Sequence, residues 1–358
     1  MNIIQSLFDE PPRRARFTSR KTTIEKSNII IYGLSGSGKT ALILNYLHTL
    51  PASLKKKFLY LDLNDLRLND GIDSHDLNSF CQTNGIEVLA IENYNETLKL
   101  PSVNQILLTS KKGFTLSGFK TIRLMGLDFE EFIAFDSRFE NLQESLSHYL
   151  KNGTFPELLF THESQHIKML QSMLQLHLSD IELNIMIRAA QDSARKISAH
   201  QMFTKIKLNM KISKDSFYKS FDNLQERGYL YLIEKYGQPR ASKKLFLCDF
   251  RLQGTLSFKK DFNVTFANLI VLELLKQNLT ITYTDEADFY IHQEKRAILV
   301  LPFLNHEQLD IRLHKLDAMI EDSKIDKVEI VTMNREQHFR YLDIECDIVP
   351  FTQWALIN

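Results

Sequence analysis

Cysteine is scarce in this chain. Three occur in 358 residues, Cys81, Cys248 and Cys346, far apart and without a CxxC pair. That excludes a disulfide framework and a zinc ribbon and makes a reducing, cytoplasmic setting the expectation. Net charge is absent too, 44 Lys+Arg standing against 44 Asp+Glu. A uniformly basic nucleic-acid coat or an acidic tail protein would not balance in this way. Long apolar runs are missing. No stretch approaches the ~20 apolar residues of a membrane span, and the richest, around Leu269 to Leu275, is interrupted by Glu273. The first residues carry acids and prolines where a secretory signal needs an apolar core. What remains is ordinary globular material, 44% hydrophobic and 25% charged, at a length that suggests two or three domains.

The densest information lies early. Residues 28–32, Asn-Ile-Ile-Ile-Tyr, form a short β-branched run that suits a buried strand. Gly33-Leu34-Ser35-Gly36-Ser37-Gly38-Lys39-Thr40 follows at once, and an apolar helical stretch, Ala41 to Leu47, leads on to Pro51. This is GxxxxGK[ST] in strand–loop–helix context. Its glycines let backbone N–H groups turn inward around phosphate oxygens, and the helix N-terminus adds positive partial charge. In that reading Lys39 reaches the β- and γ-phosphates of a nucleotide and the Thr40 hydroxyl ligates Mg2+.

Further strands are expected at 58–63, 88–91 and 105–108. Strands alternating with helices imply a parallel doubly wound sheet with ligands at the strands' carboxyl ends. That brings Asp62, Glu92 and Thr109 towards the loop. Glu92 is the first candidate for the Mg2+-side and catalytic carboxylate, Asp62 its rival for the metal, and Thr109 a candidate sensor of the γ-phosphate. Asn93, beside Glu92, cannot accept a proton from water.

With these residues in place, the chain resembles a family: bacterial and archaeal AAA+-type P-loop ATPases with a winged helix and a C-terminal domain related to PD-(D/E)xK nucleases. The matching pieces are Gly33 to Thr40, the strand Val88 to Glu92, Leu107-Leu108-Thr109-Ser110, Leu127-Asp128-Phe129-Glu130-Glu131-Phe132 and Gly153-Thr154-Phe155-Pro156-Glu157. In such proteins the last two phrases typically read PLSFxEF and GGFPE. The resemblance covers most of the chain and implies an α/β fold: a P-loop parallel αβα sheet domain, then a winged helix-turn-helix, then a small α/β restriction-endonuclease-like domain. The expected boundaries are an N-terminal arm at 1–27, the nucleotide domain at 28–160, a helical linker and winged helix at 161–255, and the nuclease-like domain at 262–358. The departures are specific. The family usually has Asp-Glu where this chain has Glu92-Asn93, and a Gly-Arg pair where it has Gly118-Phe119-Lys120. Loss of the general base and of an arginine near the phosphates weakens hydrolysis more than binding, so slow or absent turnover is expected.

In the middle, helical stretches at 181–190, 197–208 and 214–226 precede strands at 229–233 and 244–247, joined by a polar loop fit for a wing. Residues 191–251 hold 13 Lys+Arg and 6 Asp+Glu. Lys211, Lys214 and Lys219 mark the third helix and Arg240, Lys243 and Lys244 the wing, an electrostatic footprint for duplex DNA; solvated lysines on a spacer are the bland alternative. The last part reads as a helix at 264–276, strands at 280–283, 288–291 and 297–301, a helix at 307–321 and a strand at 327–331. By the resemblance, Asn268, Glu273 and Asp288 occupy the polar and metal-binding positions of a nuclease. The second acid and the lysine of a working site would fall on or near Leu301 and Phe303, so a retained fold without catalysis is expected. Residues 262–358 hold 9 Lys+Arg against 16 Asp+Glu, a surface suited to a basic protein partner or to the basic middle of the same chain. Three activities follow: an ATP–Mg2+ switch or scaffold, an active ATPase remodeler acting on DNA or protein, and, least supported, an ATP-dependent nuclease. The oligomeric state is open.

Overall fold

The computed structural model describes residues 3–68, 71–136, 141–277 and 279–357. Two compact units divide at Gly126 and Leu127.

The first unit is built on five parallel strands: β1 (Ile29–Tyr32), β2 (Phe58–Asp62), β3 (Val88–Glu92), β4 (Gln105–Ser110) and β5 (Lys120–Arg123). Their order is β2-β3-β4-β1-β5. β3 and β4 are buried along their whole length, as continuous apolar runs covered on both faces must be. The two faces pack separate cores, one around Ile30, Leu59, Leu89 and Leu108 and the other around Ile31, Ile43, Leu47 and Leu107. β4 lies between β1 and β3, so the loop after β1 and the end of β3 sit at the same edge with one strand between them. β5 has no apolar run and is largely exposed, which is why the sequence does not announce it.

The second unit carries nine strands: β6 (Lys196–Ile197), β7 (Leu230–Lys235), β8 (Lys243–Leu247), β9 (Thr282–Tyr283), β10 (Phe289–Ile291), β11 (Arg296–Val300), β12 (Lys327–Thr332), β13 (Gln337–Tyr341) and β14 (Ile344–Pro350). They form one sheet in the order β13-β14-β12-β11-β10-β9-β7-β8-β6. The basic middle and the acidic end thus share a sheet through a parallel bridge, Glu234 to Thr282 and Lys235 to Tyr283. Helices Asp180–Gln191, Ala199–Lys207 and Lys214–Glu226 precede the antiparallel β7–β8 hairpin, with β6 added at its edge. Phe217, Phe221 and Leu224 are buried, as their spacing along one helix face requires. The expected helix at 307–321 is two helices, His306–His314 and Asp317–Glu321.

Buried polar contacts explain two of the phrases noted in the sequence. The Asp249 carboxylate accepts the Thr154 N–H at 2.5 Å and the Thr154 hydroxyl at 2.9 Å. A Cβ on Gly153, whose φ is 81°, would stand 2.6 Å from that carboxylate, so only glycine fits there. Glu273 accepts the Phe129 N–H at 3.0 Å, and Tyr149 donates to the Leu127 carbonyl at 2.7 Å. Asn268 bonds both backbone groups of Leu247 at 2.9 Å. These side chains hold the second unit together.

Candidate functional site

The loop Gly33–Thr40 joins β1 to the helix Lys39–Thr49. At Gly33 φ is 149°, and a Cβ there would come within 2.3 Å of the Leu124 carbonyl oxygen. The residue must be glycine for the backbone to turn so close to the strand end. Gly38 caps the helix in a left-handed conformation. The Lys39 ammonium bends back over the loop and donates to the carbonyls of Gly33 and Leu34 at 2.8 and 2.7 Å. Ser37 is fully buried, and its hydroxyl makes no hydrogen bond among the described residues.

Thr40 and Glu92 meet. The Thr40 hydroxyl donates to Glu92 Oε2 at 2.6 Å, across a separation of 52 residues. Glu92 is 4% exposed, and burial pushes its carboxyl above the ordinary range despite the Thr40 bond. Burial, with Glu92 and Asp62 adding to it, pushes the Tyr60 phenol up as well. Glu92 Oε1 is buried and makes no hydrogen bond of acceptable geometry among the described residues.

Asp62 does not reach Thr40. Its Oδ1 accepts the Asn93 side-chain amide at 2.7 Å and the Asn64 N–H at 3.0 Å. Asn93 has a φ of 56°, a left-handed position that asparagine tolerates better than most residues. Thr109 is 1% exposed, and its hydroxyl oxygen accepts the Asn93 N–H at 3.0 Å. Thr109 therefore shapes the turn after β3. The structure so brings Lys39, Thr40 and Glu92 to one place and gathers Asp62, Asn93 and Thr109 beside them.

Sequence reasoning missed Arg20. Its guanidinium donates to the Ser37 carbonyl at 2.7 Å and to those of Met125 and Gly126 at 2.8 and 3.3 Å. One side chain of the N-terminal arm thus ties the loop to the chain leaving β5. Nothing in its spacing singles it out among the arginines of residues 13–20.

In the second unit the expected basic residues divide. Lys214 and Lys219 are exposed on their helix. Lys243 pairs with Glu234 at 2.5 Å and Lys244 lies 3.6 Å from Asp288. Burial lowers Lys244 below the ordinary lysine range, against the pull of Asp288. Asp288 also accepts Arg312 at 2.8 Å and the Val300 N–H at 2.9 Å. Glu273 and Asn268 have the structural partners described above, and among the described residues neither Asp288 nor Glu273 belongs to a cluster of three or more metal-ligating side chains.

No protein-family model matches the chain, and no curated protein matches it. Among solved structures it is similar to the Walker-type ATPase PABY2304 of Pyrococcus abyssi, at 13% identity over 70% of this chain and 99% of that one, with a TM-score of 0.45. It is also similar to the Aeropyrum pernix ORC2 protein in ADPNP–ADP complexes, at 13% identity over 68% of this chain and 89% of that one (TM-score 0.38). A third is the Aeropyrum pernix ORC1 protein in complex with DNA, at 11% identity over 66% of this chain and 87% of that one (TM-score 0.32). At these identities and TM-scores the likenesses assign no activity or partner to this chain. Among the described residues no helix is long and apolar enough to cross a membrane.

Proposed function

We propose that this protein is a nucleotide-dependent switch or scaffold that binds ATP with Mg2+ at Gly33–Thr40 and hydrolyses it slowly or not at all. The observation that carries the reading is the Thr40–Glu92 contact at 2.6 Å beside a loop whose first residue admits no side chain. The donor set fits a hard cation that takes oxygen ligands: a threonine hydroxyl and a buried carboxylate, with the Tyr60 phenol beside it. Mg2+ would be held by Thr40 and Glu92, with Asp62 next to them, and would neutralise charge on the phosphate oxygens. Lys39 would exchange the Gly33 and Leu34 carbonyls for the β- and γ-phosphates, and the loop N–H groups from Leu34 to Thr40 would face them. Arg20 would fix the loop through the Ser37 carbonyl.

Weak turnover follows from Asn93. An amide cannot take a proton, and here it is bonded to Asp62, the neighbouring carboxylate that could otherwise serve as base. Within this reading residues 161–255 act as a winged helix. Lys214 and Lys219 face solvent and are the better candidates for DNA, whereas the charge of Lys243 is answered by Glu234. Residues 262–358 would be a nuclease-like fold without catalysis, its acidic surface open to a basic protein partner. The deciding experiment titrates a fluorescent ATP analogue with Mg2+ against wild type and Lys39→Ala. Saturable binding lost in the variant is expected, and equal binding by both would end the proposal. Phosphate release stimulated by duplex DNA and abolished by Lys39→Ala would make the protein an active remodeler instead.

A further inference from the structure

The second unit holds an ionic site that the nucleotide loop does not use. Asp288 stands just before β10, and its carboxylate is committed on both oxygens. Oδ2 accepts the Arg312 guanidinium and the Val300 N–H. Oδ1 faces Lys244, whose ammonium also donates to the Asp288 carbonyl at 3.1 Å. One carboxylate therefore serves two cations. The same excess is repeated nearby, where Asp285 alone pairs with both Lys196, at 2.6 Å, and Lys235. A metal ion brought to Asp288 would meet Arg312 and Lys244 first and be repelled. An anion would be attracted.

Lys244, Asp288 and Arg312 line one cavity of about 450 Å3, with Phe246, Phe289 and Gln308 among its other walls. Arg312 gives one hydrogen bond, to Asp288, so most of its five donors have no partner among the described residues. Its side chain is 25% exposed, enough to be reached from the cavity and too little to be fully hydrated. The volume lies within the range of small-molecule sites, which combine apolar walls with a few convergent polar groups. A guanidinium with free edges is matched to a planar or tetrahedral oxyanion.

We propose that this cavity binds a small organic anion. A phosphate or carboxylate head would be held by Arg312 with Lys244 behind it, and an apolar or planar body would lie against Phe246 and Phe289. Asp288, at the position where a nuclease would need a metal ligand, would instead hold Arg312 in place beside Lys244. The proposal shares no residue with the loop site and stands independently of the switch reading.

The experiment is isothermal titration of phenyl phosphate and of benzoate into the full chain carrying Lys39→Ala, which disables the loop and leaves this cavity intact. Saturable one-to-one binding of at least one probe is expected. Tighter phenyl phosphate assigns a phosphorylated ligand and tighter benzoate a carboxylate, and either supports the proposal. Adding Arg312→Gln should weaken binding about tenfold or more, the loss of a charge-assisted bond. Adding Ala267→Phe, which fills the cavity and keeps every charge, should do the same, and circular dichroism checks that both variants are folded. No saturable binding of either probe to the Lys39→Ala chain overturns the proposal, as does binding unchanged by both added variants. Duplex DNA binding lost with Arg312→Gln, without binding of the small probes, also overturns it.

Discussion

Glu92 ends β3 and Asp288 stands just before β10, and both were candidates for metal. They differ in what the chain places around them. Glu92 has a hydroxyl on one oxygen, nothing of good geometry on the other, and burial around both. Asp288 has a guanidinium, a backbone N–H and an ammonium. Lys39 acts on Glu92 through its charge without a hydrogen bond, whereas Arg312 is bonded to Asp288 directly; a carboxylate is more open to an external cation where no side-chain cation is bonded to it. By that criterion the proposed cation site belongs in the first unit, while Asp288 in the second already has two cationic side chains.

Predictions that break or sharpen this contrast run from large to small. The second unit has a further buried acid, Glu329, which also pairs with the half-exposed Lys327 at 3.0 Å. Glu329 accepts Arg296 at 3.2 Å and the Trp354 indole N–H at 2.8 Å. Glu329→Ala should destabilise the protein by about 2–4 kcal/mol, measured by denaturant unfolding, because the Trp354 indole N–H loses its acceptor while Arg296 keeps Glu294. Lys39→Ala should cost about 2–3 kcal/mol of nucleotide affinity, roughly 30- to 150-fold, through lost charge-assisted bonds, and should leave unfolding nearly unchanged.

The next pair has opposite signs. Asp288→Asn strands Arg312 and Lys244 and should lower stability by about 1–3 kcal/mol. Glu92→Gln should raise the unfolding midpoint of the nucleotide-free protein at neutral pH. The folded carboxyl of Glu92 lies above its unfolded range, so its stabilisation is present below the unfolded pKa and lost as pH rises through the folded one. At neutral pH the buried charge is a cost, and glutamine removes it while keeping an acceptor for Thr40. The same variant should lose the Mg2+ dependence of nucleotide binding. If Glu92→Gln destabilised and Asp288→Asn did not, the contrast would be reversed.

The smallest effect concerns Asp285, which hydrogen bonds from Lys196 and then Lys235 hold down at about 2. Its stabilisation is present above the unfolded value of 3.8 and lost as pH falls towards 2. Asp285→Asn should therefore cost at most about 1 kcal/mol at neutral pH, because the side chain is half exposed and screened, and nothing below about pH 2.

The legible parts of the molecule were those with strong local signals. The loop after β1, the strands β1 to β4 and the hairpin β7–β8 combine continuous apolar runs with glycine punctuation, and their ranges read closely from sequence. β13 and β14 did not. Their turn is Leu342-Asp343, with φ of 45° and 65°, a conformation that normally asks for Asn-Gly. β14 also mixes Glu345, Asp347 and Pro350 into its alternation. The union of middle and end in one sheet rests on two residue pairs, Glu234–Thr282 and Lys235–Tyr283, with no pattern to announce it. Zero net charge concealed a basic and an acidic region that answer each other through Asp285 and Asp288. The approach of Glu92 to Thr40 at the end of the loop was legible from motif and topology. Arg20 was not, because its partners are carbonyls up to 106 residues away.

Counting bound Mn2+ by electron paramagnetic resonance tests the contrast most directly, using wild type and the Lys39→Ala, Glu92→Gln and Asp288→Asn variants, with and without a non-hydrolysable ATP analogue. The predicted result is one tightly held ion per wild-type chain with the analogue and none without it, kept in Asp288→Asn and lost in Lys39→Ala and Glu92→Gln. An ion held without nucleotide and lost in Asp288→Asn would contradict the account.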